Sequence, residues 1–230
     1  GSSPAIRVGR GAKVEQMLAD VDWSNVSSEE IIIRRVDDDL VLTGGMPRGV
    51  IYAVEYFLED QLGVRRWTPR AETVPDRRDY RLPPLDIRYR PPFVIRDALY
   101  AGLEDPKFAV WLKYNGQFLT IPPEMGGHVV MDGWCHTAEQ ILPPSRFFAA
   151  HPDWYAEIDG QRRDNGQLCL TNRAMREAFL LELRTRIVAN GSHLVSVSQN
   201  DNFNYCRCPD CTTRAEALGG QSGLMLDFVN

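Results

Sequence analysis

Between Thr68 and Pro92 the chain carries Pro69, Pro75, Pro83, Pro84, Pro91 and Pro92, interspersed with arginines. Each proline fixes its own φ and removes the N–H that a helix or an inner strand needs, so no helix can run through this segment. It reads as an extended linker that divides the 230 residues into two regions of different periodicity. The division predicted from it is a small α+β domain over residues 1–85 and a larger region over residues 86–230.

In the first region Ala12 to Leu18 can form a short helix. Glu30 to Val36 and Leu40 to Thr43 read as strands joined by Asp37, Asp38 and Asp39, a hairpin pattern. Gly44-Gly45-Met46-Pro47 then opens a helix in which Val50, Val54, Phe57, Leu58 and Leu62 recur at helical spacing until Gly63. These glycines lack the spacing and the Lys-Ser/Thr of a phosphate loop, and a turn feeding a helix explains them better. Val64 to Trp67 resumes an extended run.

After Phe93 the pattern alternates. Phe93 to Leu99 and Gly116 to Ile121 read as strands, Asp105 to Tyr114 as a helix, and Glu124 to Thr137 as a loop bearing glycine and histidine. Pro144 to Ala150 reads as helical and Trp154 to Ile158 as extended. Asn172 is placed to cap a helix over Arg173 to Ala189, whose Met175, Phe179, Leu183 and Ile187 form an apolar stripe. His193 to Ser198 is the next expected strand. Alternation of this kind predicts an α/β fold with a parallel sheet or a (β/α)8 barrel. About four β/α units follow residue 93 where a closed barrel needs about eight, so the expectation is the first half of a truncated TIM-type barrel.

Composition narrows the function classes. A net charge of -5 gives no reason to expect nucleic acid or an anionic membrane as partner. No run of apolar residues is long enough for membrane insertion. Five cysteines are an odd number and cannot all pair within one chain.

The chemistry concentrates in Val195 to Cys211, VSVSQNDNFNYCRCPDC. A β-branched and serine alternation ends not in glycine or proline but in Gln199, Asn200, Asp201, Asn202 and Asn204. Such groups bind or react with something polar. Cys206, Cys208 and Cys211 follow at a spacing that can fill three corners of a zinc tetrahedron, with Cys135, His136 or Cys169 as a fourth. A disulfide or free thiols fit the same spacing. Redox chemistry of the thioredoxin kind lacks its βαβ context.

Four ordered blocks carry a family resemblance: LVLTGGMPRGVIYAVEYFLEDQLGVRRWTP (Leu40 to Pro69), RPPFVIRDALY (Arg90 to Tyr100), HPDWYAEIDGQRRDNGQLCLTN (His151 to Asn172), and Val195 to Cys211 continuing to QSGLMLDFVN. In order and spacing they resemble the bacterial proteins grouped as domain of unknown function 4838, now glycoside hydrolase family 163. The resemblance implies endo-β-N-acetylglucosaminidase action on complex N-glycans, a secreted or periplasmic location, and a glycan or glycoprotein partner. It also implies a small domain similar to the second domain of family 20 hexosaminidases before a barrel. No cofactor is called for, and no catalytic metal, because this chemistry needs no Lewis acid.

Enzymes of this kind use the substrate's acetamide as nucleophile, a polar group to orient it, and a carboxylic acid to protonate the leaving oxygen. The resemblance places that machinery at the end of the fourth strand, where Asn200 and Asp201 stand, and leaves open which does which. An ordinary loop with Asx turns competes with this reading. Arg96 is the arginine that would hold sugar hydroxyls, with Asp97 as its partner or as a second sugar ligand. A plain ion pair of Arg96 with a carboxylate is the competing account. His128, Trp134 and His136, with Asn202, complete the expected substrate-binding set, Trp134 as a wall stacking on a pyranose face. Histidines bonded to backbone and a packed tryptophan are the alternative. The rival activities are an α-glucuronidase-like or exo-hexosaminidase reaction within enzymes, and a carbohydrate-binding module without turnover outside them.

Overall fold

The computed structural model describes residues 3–190 and 194–230. They form two compact units, Gly1–Val129 and Val130–Asn230. Both are mixed α/β with small sheets, and no closed barrel is present among the described residues.

The first unit is built on a four-stranded sheet. Its strands are β1 (Ile6–Val8), β2 (Ile31–Val36), β3 (Asp39–Gly44) and β6 (Asp86–Tyr89), in the order β1-β3-β2-β6. β1 runs parallel to β3, and β2 lies antiparallel to both β3 and β6. The expected hairpin forms with Val36 opposite Asp39, and Asp37 takes the left-handed conformation that closes so tight a turn (φ 53°). β2 and β3 are apolar on both sides because a helix covers each face. Ile31, Ile33, Leu40 and Leu42 pack under Tyr52 and Ala53 of α2 (Arg48–Tyr56) and Phe57 of the π-helical turn that continues it. Ile32 and Val41 point the other way, onto Val14 of α1 (Ala12–Met17), Leu18 and Val21. Gly45 and Gly49 let α2 start against the preceding backbone. A Cβ on either would fall 1.8 Å from the Ser27 carbonyl oxygen or 2.3 Å from that of Glu30.

The proline-rich segment is extended, as expected, but it does not act only as a linker. It contains β5 (Ala71–Thr73), which pairs with β4 (Arg65–Thr68), and β6, which completes the main sheet. Proline forbids helix, not an edge strand, and residues 85–90 between Pro84 and Pro91 are free of it. Arg88 and Arg90 then reach the buried Glu30 at 2.5 and 2.8 Å. Burial raises the Glu30 carboxyl, but the two guanidinium bonds outweigh it and hold the group below the usual carboxylate range.

Two expected strands do not form. Phe93 to Leu99 and Gly116 to Ile121 join no ladder. Asn115, fully buried, clips the first of them instead: its Oδ1 accepts from Arg96 N–H (2.7 Å) and its Nδ2 donates to the Val94 carbonyl (2.9 Å). The helix expected over Asp105 to Tyr114 is α3 (Pro106–Trp111), capped by the Asp105 side chain.

In the second unit, α4 (Thr137–Ile141), α5 (Pro144–Phe147), α6 (Arg173–Asn190), α7 (Pro209–Ala217) and α8 (Gln221–Val229) surround a core of Leu142, Tyr155, Leu168, Met175 and Phe179. α6 matches its expected span, and Asn172 Oδ1 accepts from Met175 N–H at 2.9 Å as the cap. A two-residue hairpin, β7 (Glu157–Ile158) and β8 (Gln161–Arg162), turns at Asp159-Gly160, both at positive φ. The strand expected over His193 to Ser198 reduces to a single parallel bridge of Val195 with Asp132, and His193 lies outside the described residues.

Candidate functional site

The polar run after Val195 is shaped by one side chain that sequence reading missed. Gln167, 5% exposed, points its amide into the loop. Its Oε1 accepts from Asn200 N–H at 2.9 Å, and its Nε2 donates to the Asn200 carbonyl (2.7 Å) and to the Asn202 carbonyl and Oδ1 (2.9 and 3.1 Å). Its own N–H donates to the Asn204 carbonyl at 3.0 Å. The only sequence signal was a lone amide inside the apolar run Gln167-Leu168-Cys169-Leu170.

Asn200 is nearly buried and acts as a clip. Its Oδ1 accepts from Glu139 N–H (3.2 Å) and its Nδ2 donates to the Gly166 carbonyl (3.1 Å). Ser198 takes the neighbouring donors of α4: its Oγ accepts from Thr137 N–H at 3.2 Å and its carbonyl from Ala138 N–H at 2.9 Å. The free N–H groups of that short helix are thereby satisfied by a segment 61 residues further along the chain.

Asp201 is different. The Asn202 N–H donates to the Asn200 carbonyl at 2.9 Å, closing a three-residue turn with Asp201 at its tip. Asp201 is exposed, and its carboxylate has no hydrogen-bond or ion-pair partner among the described residues. Phe203 stands beside it, 85% exposed, with Tyr205 edge-on at 6.5 Å.

A cleft of about 730 Å³ opens next to this loop, lined by His136, Glu139, Asp164, Asn165, Asn200 and Asn202 among others. Three of the expected site residues therefore meet in one place. His136 holds the left-handed conformation (φ 54°) directly before α4, with Nδ1 at 3.4 Å from the Gln199 carbonyl. Glu139 and Asp164 are two acids that sequence reading did not single out. Both are exposed, and their carboxylates have no partner among the described residues. Trp134 lies in the same unit, 44% exposed, with its carbonyl accepting from Ser196 Oγ.

Arg96, Asp97 and His128 belong to the first unit. The Arg96 guanidinium is occupied there: Nη2 lies 2.8 Å from Glu29 Oε2, Nε donates to the Lys113 carbonyl and Nη1 to that of Phe93, both at 2.7 Å. The partner of Arg96 is thus Glu29 and not Asp97, whose Oδ1 accepts from Ala98 N–H instead. Asp97 is the expected partner of Arg96 or a second sugar ligand, but the half-buried Glu29, which also bonds Arg48 and Asn115, takes the guanidinium instead. His128 is exposed.

Cys169 joins Cys206, Cys208 and Cys211 in a buried cluster whose four sulfurs lie within 4.8 Å of one another. Cys169 Sγ is 3.7 Å from both Cys208 and Cys211. Cys135 stands apart as a free, half-buried thiol. Neighbouring thiols and Arg162 hold the Cys169 thiol far below its ordinary value, while the Cys169 thiolate pushes Cys206 up and Cys211 up to about 11.

The fold and the cleft define a mixed α/β chain with an amide- and acid-lined groove. It belongs to the family described as Domain of unknown function (DUF4838), which matches residues 66–230. No curated protein and no solved structure matches the chain at a significant level.

Proposed function

We propose that this chain supplies the sugar-binding and acid-bearing part of a glycoside hydrolase. On this reading it acts on β-linked N-acetylglucosamine in N-glycans, by a retaining mechanism assisted by the substrate's acetamide, and belongs to glycoside hydrolase family 163. The supporting observation is the cleft beside the Asn200–Asn204 loop. Amides and unpaired carboxylates line it, and Asp201 and the exposed ring of Phe203 stand on the same loop. A glycan presents many hydroxyls and apolar ring faces, and that combination of polar groups with an aromatic plate suits it. Because the Asn200 side chain is spent on Glu139 and Gly166, it serves as a positioning residue, and Asp201 takes the acid or acetamide-orienting role.

The finer fold belongs to the same proposal: residues 86–230 as the opening half of a (β/α)8 barrel, and residues 1–85 as a domain like the second domain of family 20 hexosaminidases. Exposed Leu180, Leu181 and Val188 on α6 are in keeping with a barrel in which further elements pack on that helix. The proposed partner is a glycan or glycoprotein outside the cytoplasm. No described helix is long and apolar enough to cross a membrane. The engagement of Asn200 as a structural clip favours a second reading, a carbohydrate-binding protein without turnover.

The test is the protein carrying this chain, incubated with a complex N-glycoprotein and read by the mass of the released glycan. Release that leaves one N-acetylglucosamine on the protein supports the endo reaction. Binding without release supports the second reading. Asp201→Asn is expected to cut turnover at least about a hundredfold in a protein that stays folded, as loss of an acid–base group does. Near-normal turnover rejects that role, and a comparable loss in Glu139→Gln or Asp164→Asn alone moves it into the cleft.

A further inference from the structure

We propose that Cys169, Cys206, Cys208 and Cys211 form a tetrahedral zinc site that ties the base of the Asn200–Asn204 loop to the segment carrying Gln167. The site stands independently of the activity proposed above. A tetrahedron with zinc–sulfur bonds of about 2.3 Å has sulfur–sulfur edges of about 3.8 Å. The 3.7 Å separations from Cys169 to Cys208 and Cys211 match that figure, and all four sulfurs lie within 4.8 Å of one another, close enough to draw in around one ion. A disulfide needs sulfurs about 2 Å apart, and it would use only two of four converging thiols.

The surroundings are those of a thiolate site. Glu157 N–H points at Cys206 Sγ (3.4 Å), the Thr171 hydroxyl lies 3.1 Å from Cys211 Sγ, and Arg162 Nη1 lies 3.6 Å from Cys206 Sγ. Donors to sulfur and a nearby cation suit four thiolates around a divalent ion, whose complex carries a net charge of about −2. Binding takes all four cysteines as thiolates and releases to solvent the protons that they still carry, with no redox change. All four cysteines are fully or nearly buried, so the ion would be closed to substrate and structural rather than catalytic.

The position explains the need. Cys206 follows the loop by two residues, Cys208 precedes α7, and Cys211 lies in its first turn. Cys169 is two residues from Gln167, the side chain that shapes the loop. The ion would therefore join both walls of the loop at one point.

The experiment is metal analysis of the whole protein purified under reducing conditions. About one zinc per chain is expected, retained in Cys135→Ser and lost in Cys169→Ser. If Cys169→Ser does not fold, the wild type decides. Protein stripped with a chelator should recover its unfolding midpoint when Zn2+ alone is added, and Co2+ should give the intense visible spectrum of tetrahedral thiolate coordination. Amides of residues 199–205 should exchange faster in the stripped form. Purified protein without zinc, whose midpoint does not move with Zn2+, overturns the proposal. So does a mass lighter by the hydrogens of a disulfide among these four cysteines.

Discussion

The two units hold their shape by different means. In the first, a sheet apolar on both faces is clamped between helices, and the buried Glu30 and half-buried Glu29 are matched by arginines. In the second, the Asn200–Asn204 loop is shaped by amides and hydroxyls: Gln167, Asn200, Ser198 and Thr137, with the thiol cluster at its base. Apolar burial is non-directional and scales with the area removed from water. Hydrogen-bonded clips are directional, so together they set the position of particular loop residues such as Asn200 and Asn202. A scaffold can rely on the first, whereas a loop whose turn tip, at Asp201, is held at a defined point needs the second.

The comparison can be broken by substitution. Ile33→Ala should give the largest effect, lowering stability of the first unit by about 2–5 kcal/mol in chemical denaturation, because Ile33 is fully buried between β3 and α2. A loss below about 1 kcal/mol would mean the sheet is not the main support.

Glu55 of α2 tests whether all buried charges in that unit are matched. Burial raises its carboxyl to about 7, Lys113 at 3.9 Å opposes the rise and Glu59 adds to it, and Oε2 has no hydrogen bond. A carboxyl raised in the folded state binds more protons there than in the unfolded chain. Its stabilising contribution is therefore complete below pH 4.5 and is lost as pH rises through about 7. Stability should fall by up to about 3 kcal/mol across that window, and Glu55→Gln should flatten the profile. An unchanged profile in the variant would show that Glu55 does not carry it.

Gln167→Leu sharpens the other side. Its cost to overall stability should be the smallest of the three, about 1–3 kcal/mol for backbone groups left without partners. Its effect should nonetheless be local: faster amide exchange over residues 199–204, with the first unit's sheet unaffected. Equal loosening of both units would contradict the contrast.

Much of the scaffold was legible in the sequence. α6 was read from the Met175–Phe179–Leu183 stripe and the Asn172 cap, and the β2–β3 hairpin from its apolar runs around consecutive aspartates. Phe93 to Leu99 has the same β-branched and aromatic character yet forms no strand, because a strand exists only if a partner edge is available, and Asn115 takes its backbone groups instead. The reverse happened at β6, where prolines suggested a linker but the Glu30–Arg88 pair and the open edge of β2 supplied the partner.

The site divides along the same line. Local sequence determined that a polar loop follows Ser198 and that three cysteines close it, since both depend only on neighbouring residues. Only the tertiary structure decided that Asn200 turns inward as a clip while Asp201 stays free, that Gln167 commands the loop, and that Cys169 completes the thiol cluster from 39 residues away from Cys208. The physical reason is range. Helical periodicity and capping act within a few residues, whereas hydrogen-bond partners and sulfur–sulfur distances are set by where the folded backbone brings remote segments together.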